Sequence, residues 1–259
     1  MKISVIQMNM RANDTEYNFA RAEELLKRAA ESSDAVILPE TWNTGFFPKN
    51  NIRSLADKNA SRTKELFSRI SGEYKTAVIG GSVTEEKDGR IYNTCYIFNK
   101  AGECISSYSK THLFSYMDED SFYEKGDRTA LFEINGIKAG VIICYDLRFP
   151  ELARKLAVSG AEILFVPCQW PARRVELMKT LIKGRAAENQ MFAVLCNSSG
   201  EYGETVYGGH SLIADPLGEI IGEAGENEEI LSLEIDTEKV KALRHEFKVF
   251  SDLREDLYR

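Results

Sequence analysis

Gly140-Val141-Ile142-Ile143-Cys144-Tyr145-Asp146-Leu147-Arg148-Phe149-Pro150-Glu151-Leu152 is an apolar, β-branched run that stops at a cysteine, crosses a polar turn and enters a helix. The run reads as a buried strand, and Pro150 suits the first helical turn, where its missing N–H costs nothing. A strand feeding a helix through a short turn is the building unit of an α/β fold. The same layout puts a thiol at the carboxyl end of a strand, where sites in open α/β sheets gather. Free N–H groups and the positive end of the following helix are expected to favour thiolate over thiol, and the thiolate is the reactive species. The other reading of Cys144 is a small buried hydrophobe, as most free cysteines are.

On either side the alternation continues. Residues 131–134 and 138–144 flank Asn135-Gly136, a strong two-residue hairpin signal. Strands are predicted at 163–166, 192–197, 210–214, 219–224 and 230–234, with helices at 175–190 and 237–245. The first half repeats the theme: strands at 2–8, 35–38, 76–83, 91–99 and 104–108, and helices at 16–32 and 63–74. In the first of these helices Phe19, Ala22, Leu25, Leu26 and Ala29 share one face. No linker, repeat or low-complexity tract intervenes, so 1–259 is expected to form a single α/β domain with helices covering two sheet layers.

Bulk composition narrows the function classes. The formal charge is −7, so no field draws the protein toward nucleic acid or anionic lipid. No run of about 18 apolar residues and no signal-like segment is evident, so no membrane partner and a cytoplasmic location are expected. The five cysteines are widely spaced without a C-x-x-C pair, and the three histidines lack metal-ligand spacing. Neither a disulfide framework nor a metal site is expected.

Three polar residues stand where packing alone would not put them, each closing an apolar strand. Glu40 follows Leu38-Pro39, Lys110 follows Tyr108-Ser109, and Cys144 closes the run quoted above. A carboxylate, an ammonium and a thiol at three strand ends suit acyl transfer. The thiolate attacks a carbonyl, and a carboxylate whose pKa burial raises can move the thiol proton to the departing amine. A fixed cation and a backbone N–H then hold the oxyanion. Taken singly, Glu40 also reads as a helix-capping loop residue and Lys110 as a solvated strand-edge residue. His112 suggests a rival Cys–His dyad that spacing does not exclude, and Cys168 also follows an apolar strand but reads as a pocket wall at most.

Together, P-E-T-W-N-T-G-F around Glu40, Y-S-K-T-H-L-F around Lys110 and G-V-I-I-C-Y-D-L-R-F-P-E-L around Cys144 resemble the nitrilase (carbon–nitrogen hydrolase) superfamily. The likeness extends from V-I-Q-M to F-S-D-L-R-E-D-L-Y and is nearest to the omega-amidase-like branch. That branch releases ammonia from omega-amides of short 2-oxo diacids. The resemblance implies a four-layer αββα sandwich, a single carbon–nitrogen hydrolase domain, no cofactor, and a homodimer formed across one helical layer. It implies Glu40 as general base, Lys110 as stabiliser of the tetrahedral intermediate, Cys144 as the nucleophile that forms a thioester, and the Tyr145 N–H completing the oxyanion hole. A second glutamate belongs in the loop at 114–126. Glu119, seven residues before Gly126, is preferred over Glu124 for that place.

An omega-amide of a diacid carries a free carboxylate, for which bidentate arginine is the natural partner. Arg173 is the first choice, with Arg174 and Arg148 as alternatives, and Trp170 and Phe46 are expected to wall the pocket. Glu188, in a stretch matching the family's R-A-x-E-N-Q, is expected to support the site without touching the chemistry. The expected substrate is a small amide such as 2-oxoglutaramate. Alternatives are an N-carbamoyl amine or a nitrile at the same site, or a non-catalytic scaffold of the same fold.

Overall fold

Alternation along the first strand decides which layers form. In Lys2–Gln7 the side chains of Ile3 and Val5 point one way and Ile6 the other, and all three are fully buried. A strand buried on both faces needs a layer above and a layer below it. The computed structural model, which describes residues 1–45 and 49–257, supplies both.

Two sheets pack face to face. The first runs in the spatial order Glu229–Glu234, Lys2–Gln7, Ala35–Ile37, Ala77–Ile79, Arg90–Phe98, Val83–Lys87 and Asp57–Lys58, with Cys104–Ser109 also paired to Arg90–Phe98. The second runs Ile220–Glu223, Leu212–Ala214, Phe192–Cys196, Ile163–Pro167, Ile137–Val141 and Ala130–Ile134. Between them lies one core containing Ile3, Val5, Ile37, Ile79 and Ile97 from the first sheet and Phe132, Val141, Phe165 and Val194 from the second. Truncating a ring such as Phe165 to alanine there costs about 3–5 kcal/mol.

Helices close the outer faces. Thr15–Ala30 and Ser61–Tyr74 bury Phe19, Leu26, Leu66 and Phe67 against Val36, Val78 and Ile6 of the first sheet. Pro150–Val158 and Val175–Asn189 bury Leu156, Met178 and Ile182 against Leu164, Val166 and Leu195 of the second. The order helix, sheet, sheet, helix is the expected αββα sandwich.

Local departures from the sequence reading have physical causes. The run 76–83 forms two pieces, Ala77–Ile79 and Val83–Lys87, because the chain turns at Gly80-Gly81. Gly81 takes φ +63°, and a Cβ there would fall 2.2 Å from the Pro39 carbonyl oxygen, so only glycine fits beneath the loop that carries Glu40. Asn135 and Gly136 both adopt positive φ, 51° and 79°, as a two-residue hairpin turn requires. The strand before Cys144 ends at Val141, and Cys144–Arg148 is a short 3-10 turn, so the α-helix starts only at Pro150.

Candidate active site

Three loops bring the site together just beyond the strand ends. Glu40 lies three residues past Ala35–Ile37, Lys110 one residue past Cys104–Ser109, and Cys144 three residues past Ile137–Val141. The Glu40 loop is anchored from both sheets. The Trp42 indole donates to the Gly80 carbonyl at 2.9 Å and packs edge-on against Phe19 in the helical layer. From the other sheet, Gln169 Nε2 donates to the Glu40 carbonyl at 2.5 Å, and the Glu40 N–H donates to the Cys168 carbonyl at 3.4 Å.

Lys110 is the centre of the charge arrangement. Its ammonium donates to Glu40 Oε1 at 2.8 Å and to the two Glu119 oxygens at 3.0 and 2.8 Å, and all three residues are at least 95% buried. Burial works against the buried ammonium, but Glu119 and then Glu40 outweigh it and hold the Lys110 pKa well above its ordinary value. The two carboxylates therefore favour the charged form of Lys110. Glu119 is set by the short turns around Asp118, where the Phe114 N–H also donates to its Oε2 at 2.6 Å. Glu124, the competing choice, is exposed.

Asn93, which sequence reasoning passed over, joins these groups. Its Nδ2 donates to Glu40 Oε1 at 2.9 Å and to Glu119 Oε1 at 3.4 Å, while its backbone carbonyl accepts the Lys110 N–H at 2.9 Å. One buried amide thus spaces two carboxylates around one ammonium. Its position in the strand Arg90–Phe98 gave the only available signal, a buried polar side chain in an apolar run.

Cys144 takes φ +47°, a left-handed conformation costly for a residue with a side chain, on a sharp elbow between strand and turn. In a 3-10 turn the amides of Cys144 and Tyr145 precede the first turn bond, which Asp146 N–H makes to the Ile143 carbonyl at 3.0 Å. The Tyr145 N–H thus stands one residue past Cys144 and ahead of the turn's first hydrogen bond. The resting sulfur differs from the sequence expectation. A hydrogen bond with the Cys168 thiol, then burial, then the charge of Glu40 push the Cys144 pKa well up, with Lys110 opposing them. These influences favour the thiol over the thiolate at rest. The helix start expected to favour a thiolate stands six residues away, at Pro150. Cys168 is fully buried behind Cys144 and does not line the cavity.

His112 is turned away from this group. Its Nδ1 lies 2.8 Å from Asp146 Oδ1 and its ring stacks on Phe149 at 3.7 Å, so it neither lines the cavity nor serves as the partner of a Cys–His dyad.

A cavity of about 130 Å³ opens above the sulfur. Glu40, Asn93, Lys110, Glu119, Cys144 and Tyr145 form its inner end, and Trp170, Arg148, Arg173 and Arg174 stand toward its mouth. Arg148 lies over the Trp170 ring at 5.4 Å, and Arg174 near Phe114 and Tyr116 at 5.8 and 5.9 Å. None of the three arginines has a carboxylate within 4 Å among the described residues. Thr205 and Tyr207 add a wall from the hairpin of Glu201–Tyr202 and Thr205–Val206, which the sequence reading had not assigned. Phe46 lies outside the described residues. Glu188 stands away from the cavity and pairs with Arg185 at 2.8 Å, whose Nε donates to the Leu147 carbonyl at 3.2 Å. Its link to the turn at 144–148 runs through Arg185. Among the described residues no group of three or more His, Cys, Asp or Glu side chains is arranged to hold a metal ion.

Comparison with known proteins gives a consistent result. A family model described as carbon-nitrogen hydrolase matches residues 2–245. A 2-oxoglutaramate amidase of Bacillus subtilis is 36% identical over 256 residues, covering 99% of this chain and 98% of the relative. An omega-amidase of Saccharomyces cerevisiae is 31% identical, covering 100% of this chain and 94% of that protein. The crystal structure of a branch 10 member of the nitrilase superfamily from Saccharomyces cerevisiae superposes with a TM-score of 0.91 at 29% identity, over 98% of this chain and 96% of that one.

Proposed function

The chain belongs to the carbon–nitrogen hydrolase family, and from that footing we propose that it hydrolyses the omega-amide of a short 2-oxo diacid, such as 2-oxoglutaramate, through a thioester on Cys144. The observation that carries the reading is a buried cluster of two carboxylates, Glu40 and Glu119, around the Lys110 ammonium beside a thiol, under a mouth of three arginines without carboxylate partners among the described residues. The names of the Bacillus subtilis and yeast relatives support the substrate class.

Each residue has one task. A resting thiol needs a base as substrate arrives, and Glu40 takes the proton as Sγ attacks the amide carbonyl. The developing oxyanion is held between the Lys110 ammonium and the Tyr145 N–H. Glu40 returns its proton to the departing nitrogen, and ammonia leaves a thioester behind. Glu40 then draws a proton from water, which attacks the thioester and frees the diacid and the thiol. Glu119 and Asn93 hold Lys110 and Glu40 in register without touching substrate. Arg173 receives the free carboxylate as a bidentate pair, with Arg148 or Arg174 as the neighbouring cations. Trp170 walls the chain between the two ends.

Two wider expectations belong to the same proposal. A homodimer is supported by exposed apolar side chains such as Leu177 of Val175–Asn189 and Ile221 of Ile220–Glu223, and a cytoplasmic site by five cysteines that are all free. No helix among the described residues is long and apolar enough to cross a membrane.

Initial rates of ammonia release over a panel of carboxylate-bearing amides, neutral amides, N-carbamoyl amines and nitriles test the reading. The highest kcat/KM is expected for a five-carbon or four-carbon 2-oxo diacid monoamide. Preference for a nitrile or a carbamoyl compound over every amide would overturn the substrate class.

A further inference from the structure

We propose that Asp146 is a positioning residue for this reaction, its buried carboxylate clamping the nucleophile turn to the segment that carries Lys110, with His112 as the clamp's outer member. The inference rests on the thioester mechanism above but concerns residues to which that mechanism gives no task.

Asp146 is fully buried, and its two oxygens receive five donors. Oδ2 accepts the Ile143 N–H at 3.0 Å and the Tyr108 hydroxyl at 2.7 Å. Oδ1 accepts the Thr111 hydroxyl at 3.0 Å, the His112 N–H at 2.9 Å and His112 Nδ1 at 2.8 Å. A carboxylate taken out of water needs such compensation, and here it is drawn from two separate chain segments. Four of the five donors come from Tyr108, Thr111 and His112, which bracket Lys110. The fifth is the residue immediately before Cys144.

That division is what makes the group a clamp. The oxyanion donors, Lys110 Nζ and the Tyr145 N–H, lie on different segments, and their separation sets where the tetrahedral intermediate can sit. Asp146 is the side chain that bonds to both. It also closes the turn around the left-handed Cys144, since its own N–H returns to the Ile143 carbonyl at 3.0 Å while its carboxylate takes the Ile143 N–H. His112 extends the tie to the end of the turn by stacking on Phe149, with ring planes 9° apart. Burial and the adjacent Asp146 charge hold the Tyr108 phenol protonated, so it remains a donor. A histidine that resembled a catalytic base is instead a strut.

Two substitutions of His112 separate a clamp from a base. His112→Asn places an amide nitrogen where Nδ1 stood and keeps the bond to Asp146, but it has no nitrogen able to act as a base. His112→Ala removes both. The residue is partly exposed, so both variants are expected to fold, with melting curves as the control. For His112→Ala, kcat on 2-oxoglutaramate is expected to fall about tenfold or more with KM within about threefold, because a small misplacement of a reacting group is costly. His112→Asn is expected to return kcat to within about threefold of the unmutated protein. A fall in His112→Ala of less than threefold, or a His112→Asn no better than His112→Ala, overturns the proposal. A failure of the substrate reading is recognised separately, because the unmutated protein would then release ammonia from no such amide. In that case the alkylation rate of Cys144 by iodoacetamide in the same three proteins reads the clamp without substrate. It supports the clamp if it shifts more than threefold in His112→Ala and returns in His112→Asn, and overturns it otherwise.

Discussion

The two ends of the cavity handle charge in opposite ways. At the inner end Glu40, Asn93, Lys110 and Glu119 are 1–5% exposed, and each charge meets its complement within 3.0 Å. At the mouth Arg148, Arg173 and Arg174 are half-buried or exposed, lie beside aromatic rings or open space, and have no carboxylate within 4 Å among the described residues. In a chain with 40 acidic side chains to 33 basic ones, three arginines at one cavity mouth without carboxylate partners stand out. At the inner end the protein supplies its own partner to every charged group, an arrangement that the proposed mechanism uses for proton transfer and oxyanion binding. The mouth is left for a ligand to compensate. On the proposed function, chemistry and recognition are separated along one small cavity.

The largest effect should come from breaking the inner end. Glu40→Gln keeps the shape and the bond to Lys110 but removes the base, and ammonia release is expected to fall about 10²- to 10⁴-fold. Activity within tenfold of the unmutated protein would mean that the inner charges are structural only. A middle effect is expected at the mouth. Arg173→Met should raise KM for 2-oxoglutaramate about tenfold, leave kcat within about threefold, and leave a neutral amide untouched, because a bound carboxylate lost from the ground state raises KM alone. If KM is unchanged in Arg148→Met, Arg173→Met and Arg174→Met alike, the contrast between the ends disappears.

The smallest effect concerns the resting sulfur. The Cys168 hydrogen bond, burial and Glu40 all raise the Cys144 pKa, so the neutral thiol is favoured at neutral pH and the thiolate appears only as the solution becomes alkaline. Alkylation by iodoacetamide without substrate should therefore climb from about pH 7 to 9 with no plateau. Cys168→Ala removes the largest of those causes and should speed alkylation at fixed pH about fivefold, the equivalent of a hydrogen bond of about 1 kcal/mol. A rate that is flat over that range would mean that the thiolate is already present at rest.

Much of this was legible in the residues, and the parts that were not share one reason. Apolar runs at 2–8 and 163–166 signalled strands, and Glu40, Lys110 and Cys144 were signalled by polar groups terminating such runs. Asn93 gave no such sign, because its partners Glu40 and Glu119 lie 53 and 26 residues away in sequence. Asp146 looked like a turn residue, since four of its five donors come from 34 to 38 residues upstream. The closeness of Cys168 to Cys144 follows from the register that pairs Val141 with Phe165, and pairing register is not readable from a single strand. The Gly80-Gly81 turn, by contrast, carried a local signal that a continuous strand assignment overrode.

The most direct test of the central claim is ammonia release from 2-oxoglutaramate by Cys144→Ala, measured beside the unmutated protein with circular dichroism to show that both are folded. The thioester account predicts release indistinguishable from the uncatalysed rate in the variant and rapid release in the unmutated protein. Release by the folded variant at the unmutated rate would contradict it.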